Sequence, residues 1–297
     1  MVIRFDGQVA IVTGSGRGLG AAYARLLAER GARVVVHDAG VALDGTGSDP
    51  EVADAVVREI TAAGGTAVPS YENIESREGC QRLIETALSR FGRLDILINN
   101  AGWVDRTPLE QIAPERLSRI LDVQIAAPLW LAQAALPVMK QQRYGRIVLT
   151  SSGIGLWTEG DRPELSGYAI GKAAQLGLMN ALTANGAGED IRVNIISPVA
   201  ATRVYTGQVA PGELRPEQVA PGVAFLASSA CEVSGVILRA GNGHFSTMRW
   251  QVGPEVDFGA EAATPEDVAD KWNVIGEYKS EAGFLLKISS NADLWAK

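Results

Sequence analysis

Short β-branched runs alternate with helix-length segments from the N-terminus to about residue 245, and this alternation restricts the chain to a layered α/β fold. Gln8–Thr13, Arg33–Val36, Ala67–Pro69, Asp95–Ile98, Arg146–Thr150, Arg192–Ile196 and Val236–Leu238 read as strands. Several are apolar on both faces, as buried parallel strands are. Helical spacing occupies 18–30, 51–63, 76–91, 114–142, 165–184 and 216–227, with Pro114 and Pro216 suited to first helical turns. Pro128, inside the long fourth helix, should kink it or shift its ends. The repetition predicts a doubly wound, parallel, seven-stranded sheet with helices on both faces and right-handed crossovers. At 297 residues, 46% of them hydrophobic, the chain can bury a substantial core.

Beyond about residue 245 the alternation stops. Residues 1–245 are expected to form the sheet domain and 246–297 a C-terminal extension. Thr264-Pro265-Glu266-Asp267 is a helix start, with a capping threonine, proline at the first helical position and acids matched to the helix dipole. Trp272, Phe284, Leu285, Leu286 and Trp295 are too apolar for a disordered tail, so the extension is expected to pack over the substrate side or a subunit interface. A net charge of −7 argues against nucleic acid or an anionic membrane as a main partner. Two histidines, His37 and His244, are too few for a histidine metal centre, and no metal is expected. Cys80 and Cys231 follow no ligand spacing and are expected to pack as small hydrophobes. Met1–Asp6 has neither a signal nor a long apolar segment, so no membrane span and a cytoplasmic location are expected.

Three constellations carry chemistry. Thr13-Gly14-Ser15-Gly16-Arg17-Gly18-Leu19-Gly20 follows the first strand and opens the first helix, where free N–H groups and the positive helix end stabilise a diphosphate. Asp38, 18 residues beyond Gly20, ends the second strand; its carboxylate can accept both adenosine ribose hydroxyls and would repel a 2′-phosphate. Arg17 pulls the other way, because a guanidinium could pair with that phosphate. The carboxylate should prevail, which favours NAD over NADP. Asn99-Asn100-Ala101-Gly102 ends the fourth strand at the carboxyl edge, where ligands of open α/β sheets bind, and Asp95 at its start is expected to support structure. Finally, Tyr168 and Lys172 lie four apart in Ser166-Gly167-Tyr168-Ala169-Ile170-Gly171-Lys172. On a helix they share one face, and a neighbouring ammonium favours the phenolate, which is a way to make an acid–base.

With Thr13–Gly20, Asn99–Gly102, Thr150-Ser151-Ser152 and Tyr168-x3-Lys172 in this order, the chain resembles the short-chain dehydrogenase/reductases over about residues 5–245. The resemblance implies a single Rossmann-like domain, a nicotinamide cofactor and a homodimer or homotetramer. It implies Tyr168 as general acid–base, Lys172 lowering its pKa and binding the nicotinamide ribose, and Ser152 orienting the substrate oxygen, while the substrate's hydride passes to or from nicotinamide. Cofactor contacts are implied at Gly14, Arg17, Gly18, Leu19, Gly20, Asp38, Asn73, Ile74, Asn100, Ala101, Gly102, Tyr168, Lys172, Pro198, Val199 and Thr202. Arg4-Phe5-Asp6-Gly7, His37-Asp38-Ala39-Gly40 through Asp44-Gly45, Tyr144-Gly145-Arg146-Ile147 and Pro198 to Arg203 are similar to the (3R)-hydroxyacyl-CoA dehydrogenase domain of peroxisomal multifunctional enzymes. Bacterial relatives in steroid and acyl-CoA catabolism share that likeness, including Arg249-Trp250 and Gly253-Pro254. A bulky apolar secondary alcohol or ketone is the implied substrate: a hydroxyacyl-CoA, a steroid-like alcohol or a related compound.

The sequence departs from the family in three places. Gln124 stands where the family usually has a catalytic asparagine holding a proton-relay water. The 16-residue separation of Ser152 and Tyr168 exceeds the common spacing by a few residues, with the excess in 156–164. The segment from Arg203 to Pro216 is short for a substrate lid and should leave a more open site. Trp103, Trp157 and Tyr205 are either pocket wall or simple core. A catalytically silent partner subunit of a hetero-oligomer, and a non-redox lyase or isomerase on the same scaffold, remain as alternatives.

Overall fold

The computed structural model describes residues 2–43, 45–156, 162–248, 254–259 and 263–276. It divides into two compact units, Met1–Thr247 and Met248–Lys297. In the first, strands β1 (Val9–Thr13), β2 (Arg33–His37), β3 (Thr66–Ser70), β4 (Ile96–Asn99), β5 (Tyr144–Thr150), β6 (Asp190–Val199), β7 (Ile237–Gly241) and β8 (His244–Met248) form one sheet in the order β3-β2-β1-β4-β5-β6-β7-β8. The pairings from β3 through β7 are parallel. The seven expected strands are all present, and β8 is an eighth. It follows β7 through Asn242-Gly243, whose φ angles of 49° and 77° make the two-residue turn of a β-hairpin. Exposed on nearly every residue, β8 lacked the apolar signal by which buried strands are read. Pro69 is tolerated because β3 forms the opposite edge.

Helix α1 (Gly18–Glu29) packs against α2 (Glu51–Ala62) and, together with α8 (Ala220–Leu226), covers one face of the sheet. On the other face α3 (Arg77–Phe91) packs against α5 (Ala127–Gln142). The strands run through a core in which Val9–Val12, Val34–Val36 and Ile96–Ile98 are fully buried. The chain leaves β1 toward β2 on one side and returns to β4 on the other, so the carboxyl ends of β1 and β4 bound the crevice where ligands of such sheets bind. Asp95 plays the structural part expected of it: Oδ2 accepts the Val9 N–H at 2.8 Å, and both oxygens pair with Arg93.

The long fourth helix is divided. Helix α4 (Pro114–Leu121) passes into a π-helical turn, Asp122–Ala126, before α5 begins. The Ala127 N–H reaches back to the Asp122 carbonyl. Pro128, in the first turn of α5, has no N–H to offer the Gln124 carbonyl. That oxygen is taken instead by the side-chain amide of buried Gln175 from α7 (Ser166–Asn185). Proline thus shifts the helix start, and a glutamine from a neighbouring helix satisfies the freed carbonyl. Within the stretch Pro114–Gln142 an 18-residue window of mean hydropathy 1.3 would by composition suit a membrane span, but here it is a broken core helix on α3 and α7.

In the second unit α9 (Pro265–Asp270) starts at the expected place. Thr264 Oγ1 accepts the Asp267 N–H at 3.2 Å, and Asp267 Oδ2 accepts the Thr264 N–H at 2.9 Å. The short α10 (Trp272–Ile275) follows, with Trp272 exposed. Asp44, Trp157, Arg249, Trp250, Gly253, Phe284, Leu285, Leu286 and Trp295 lie outside the described residues.

Candidate active site

The glycine loop joins β1 to α1 at the crevice. A Cβ on Gly16 would collide with Val52 and lie 2.9 Å from Asp38 Oδ2, and one on Gly20 would strike the Gly14 carbonyl and lie 2.7 Å from Asn100 Nδ2. Only glycine permits these approaches. Asp38, immediately after β2, is held at both oxygens: Oδ2 accepts the Gly16 N–H at 2.9 Å and Oδ1 the Gly40 N–H at 2.8 Å. Thr13 Oγ1 accepts the N–H groups of Asn100 and Ala101 at 3.0 Å each, and Asn100 Nδ2 donates to the carbonyls of Thr13 and Gly14 at 3.0 and 3.1 Å. Asn100 and Ala101 therefore brace the loop from β4. Leu19 is turned toward the core, Ile74 is buried, and Asn73 Oδ1 accepts the Glu75 N–H at 2.9 Å. Pro198 and Val199 end β6, and Thr202 beyond them comes close to Gly18, where a Cβ would lie 3.1 Å from Thr202 Cγ2.

Across the crevice, β5 ends at Thr150 and α7 presents Tyr168 and Lys172 one turn apart. The Ser152 hydroxyl lies near enough to the Tyr168 phenol to favour its ionised form. Lys172 Nζ donates to the Thr150 carbonyl at 2.9 Å and lies 5.6 Å from the Tyr168 ring centroid. Burial lowers the Lys172 pKa to about 8. Burial also raises Tyr168 above its ordinary value, opposed by the Ser152 hydroxyl and the charge of Arg106. The Lys172 ammonium that the spacing argument set beside the phenol also donates to the Thr150 carbonyl, and Arg106 adds a second positive charge on the Tyr168 side. Gly102, at the mouth of this region, keeps space open beside Lys172: a Cβ there would lie 3.6 Å from Nζ.

Gln124 lies in the π-helical turn, fully buried between Gly102, Trp103 and Gly171. Its Nε2 donates to the Trp103 carbonyl at 3.1 Å, and its Oε1 has no partner among the described residues. Room for the extra methylene comes from Gly171, where a Cβ would lie 2.9 Å from Gln124 Cβ. Trp103 is core rather than pocket wall, stacked beside Arg116 and Arg119 at 4.4 and 5.8 Å, whereas Tyr205 is exposed. Sequence reasoning missed Gln175, whose only signal was a polar residue on the helix face of Gly171 and Lys172. It also missed Arg106 and the side chain of Arg203, whose roles depend on contacts distant in sequence.

A family model described as short chain dehydrogenase matches residues 8–211. The peroxisomal multifunctional enzyme type 2 of Mus musculus is 38% identical over 284 residues, covering 94% of this chain and 38% of that protein. The chain thus spans well under half of that relative's length. A short-chain type dehydrogenase/reductase of Mycobacterium tuberculosis is 35% identical over 285 residues, covering 94% of this chain and 98% of the relative. Among solved structures, a short chain dehydrogenase from Mycobacterium avium superposes with a TM-score of 0.79 at 33% identity, over 93% of this chain and 97% of that one. A 7α-hydroxysteroid dehydrogenase complexed with NADH and 7-oxo glycochenodeoxycholic acid gives 0.71 at 30% identity, over 81% and 94%. The fold and site define an oxidoreductase of the nicotinamide-dinucleotide class. The chain belongs to the short-chain dehydrogenase/reductase family. This membership favours hydride transfer over the lyase, isomerase and silent-subunit alternatives.

Proposed function

We propose that this oxidoreductase interconverts a secondary alcohol and a ketone on a bulky apolar substrate, a hydroxyacyl thioester in the first instance, with NAD as cofactor and Tyr168 as acid–base. The observation that carries the reading is Tyr168 and the buried Lys172 one helical turn apart on α7, 5.6 Å from ring centroid to Nζ, with Ser152 beside the phenol at the carboxyl edge of the sheet. The loop fits a dinucleotide: Gly16 and Gly20 let it pack directly on Val52, Asp38, the Gly14 carbonyl and Asn100, where a Cβ would collide, and Asp38 follows β2 with its carboxylate fixed. The glycine loop from Gly14 to Gly20 would hold the diphosphate and Asp38 the adenosine ribose, a contact that favours NAD. Asn73, Ile74, Asn100, Ala101 and Gly102 would line the groove, Lys172 would hold the nicotinamide ribose, and Pro198, Val199 and Thr202 would cover it. The bound nicotinamide supplies the hydride acceptor or donor.

Tyr168 takes the hydroxyl proton in the oxidative direction and returns it in reduction, while Ser152 hydrogen-bonds the same substrate oxygen and fixes its distance from the phenol. A phenol whose pKa is raised by burial is a competent proton donor at neutral pH. Acting as a base, it requires the cationic surroundings of Arg106 and Lys172. The 3-hydroxyacyl thioester reading is supported by the likeness to the multifunctional enzymes, and the steroid alternative by the 7α-hydroxysteroid dehydrogenase. A homo-oligomer is proposed on the outward face of α7, where Ile170, Ala173, Gly177, Ala181 and Ala184 are exposed and uncharged. The test is a panel of 3-hydroxyacyl-CoA esters, steroid alcohols and simple secondary alcohols with NAD and NADP. Reduced nicotinamide should form with the thioesters and NAD, and conversion of substrate with no change in nicotinamide would overturn the reading.

A further inference from the structure

The segment that follows β6 is fastened at two consecutive residues to opposite sides of the crevice. Thr202–Tyr205 is a turn closed by the Tyr205 N–H to the Thr202 carbonyl at 2.9 Å. At one of its central residues, Arg203 Nη1 donates to the Val41 carbonyl at 3.0 Å, in the loop after β2 and three residues beyond Asp38. Arg17 of the glycine loop donates to the same oxygen at 3.5 Å. At the other central residue, the Val204 carbonyl accepts from Arg106 Nη2 at 3.1 Å, in the loop after β4. Arg106 Nη1 also lies 3.7 Å from Glu164 Oε1, on the turn Pro163–Leu165 that runs into α7 four residues before Tyr168. The base of the segment is fixed as well: the Ala201 N–H donates to the Leu214 carbonyl at 2.7 Å, and the Leu214 N–H to Asn242 Oδ1 at 3.1 Å. The short segment is therefore a strap pinned at its start and its end.

We propose that Arg203 and Arg106 are positioning residues with separate tasks: Arg203 pins the strap over the dinucleotide half of the groove and retains the cofactor, while Arg106 pins it at the Tyr168 half and keeps a positive charge beside the acid–base. The proposal rests on the reading of Tyr168 given above. Neither arginine needs to touch the reacting atoms. Arg203 joins two segments that both border the dinucleotide groove, since its neighbour Thr202 lies against Gly18 and its partner Val41 follows Asp38. Arg106 acts on the other half. The groups that act on Tyr168 are Lys172 from its own helix, Ser152 from the segment after β5 and Arg106 from the loop after β4; Glu164 from the turn before α7 faces Arg106, and Asp105 nearby is already paired with Arg116 at 2.7 Å. Of these, Arg106 is bound to the strap, so holding the strap down also holds its charge in place.

Two measurements on the full chain separate the tasks. Release of NADH, followed by stopped-flow fluorescence, should accelerate about tenfold in Arg203→Met, the effect of one lost charge-assisted hydrogen bond. The pH profile of kcat/KM should keep its apparent pKa in that variant. In Arg106→Met the profile should move to higher pH while NADH release changes less than about twofold. Arg106→Lys should restore the profile by restoring the charge, and Glu164→Gln should move it to lower pH. Equal acceleration of NADH release in both methionine variants with an unmoved pH profile would overturn the division of tasks, as would no change in either readout. Full turnover in Tyr168→Phe would instead remove the parent reading, leaving the NADH-release result to judge Arg203 by itself.

Discussion

The two halves of the crevice are built on opposite principles. On the glycine-loop side the groups that hold the loop are paired: both Asp38 oxygens accept backbone N–H groups, Thr13 Oγ1 receives two, and the Asn100 amide donates to two carbonyls, while His37 Nδ1 and Ser70 Oγ behind them have no partner among the described residues. On the Tyr168 side, Gln124 Oε1, Thr150 Oγ1 and both amide atoms of Asn99 are buried without a partner among the described residues, and a buried ammonium is held by the Thr150 carbonyl. Unpaired buried polar groups cost free energy, whereas paired ones are close to neutral. The binding half is thus preorganised by backbone, and the chemical half keeps hydrogen-bonding capacity in reserve for groups that arrive with the ligand.

Substitutions can break this contrast. The largest effect is expected from Lys172→Met, which should lower turnover by a factor on the order of a hundred or more, read as kcat. It should not destabilise the cofactor-free protein to match, because the lysine is buried in its less comfortable, charged form. The sign follows from its lowered pKa: between about 8 and the ordinary lysine value the unfolded chain holds the proton and the folded chain does not, so this group makes stability rise with pH. Chemical denaturation between about pH 8 and 10 should show that rise in the parent and a flatter curve in the variant. On the paired side, Gly16→Val should abolish measurable NAD binding by calorimetry while the fold persists by circular dichroism, since the new side chain would collide with Val52 and Asp38 Oδ2 and displace the glycine loop. Asp38→Ala should shift the ratio of kcat/KM for NAD over NADP toward NADP by roughly tenfold or more, the loss of one charged contact. A higher kcat/KM with NADP in the parent chain would show that Arg17 outweighs Asp38. The smallest effect is expected at Gln124: Asn should preserve or modestly raise activity if the amide serves the proton relay, and equal activity of the Asn and Ala variants would assign the residue to packing.

The fold was legible because its signals are local. Seven buried strands and the helix starts at Pro114 and Thr264 lie where apolar runs and capping residues put them. The exposed strand β8 offered no such pattern, although Asn242-Gly243 is a hairpin signal in its own right. At the site, Tyr168, Lys172 and Asp38 were legible from spacing and Ser152 from the family resemblance, and the structure brings them to one edge of the sheet. Spacing could not say what surrounds them. That Lys172 also anchors to the Thr150 carbonyl, that Gln175 replaces the N–H missing at Pro128, and that Arg106 adds a charge on the Tyr168 side all depend on contacts between residues far apart in the chain.

The central claim is that Tyr168 moves the proton, with its hydroxyl adding little to cofactor affinity. Tyr168→Phe, measured for both kcat on the best thioester substrate and the dissociation constant of NAD, tests it most directly. The account predicts a loss of turnover on the order of a thousandfold with NAD affinity within about threefold of the parent. Turnover close to that of the parent chain would contradict it.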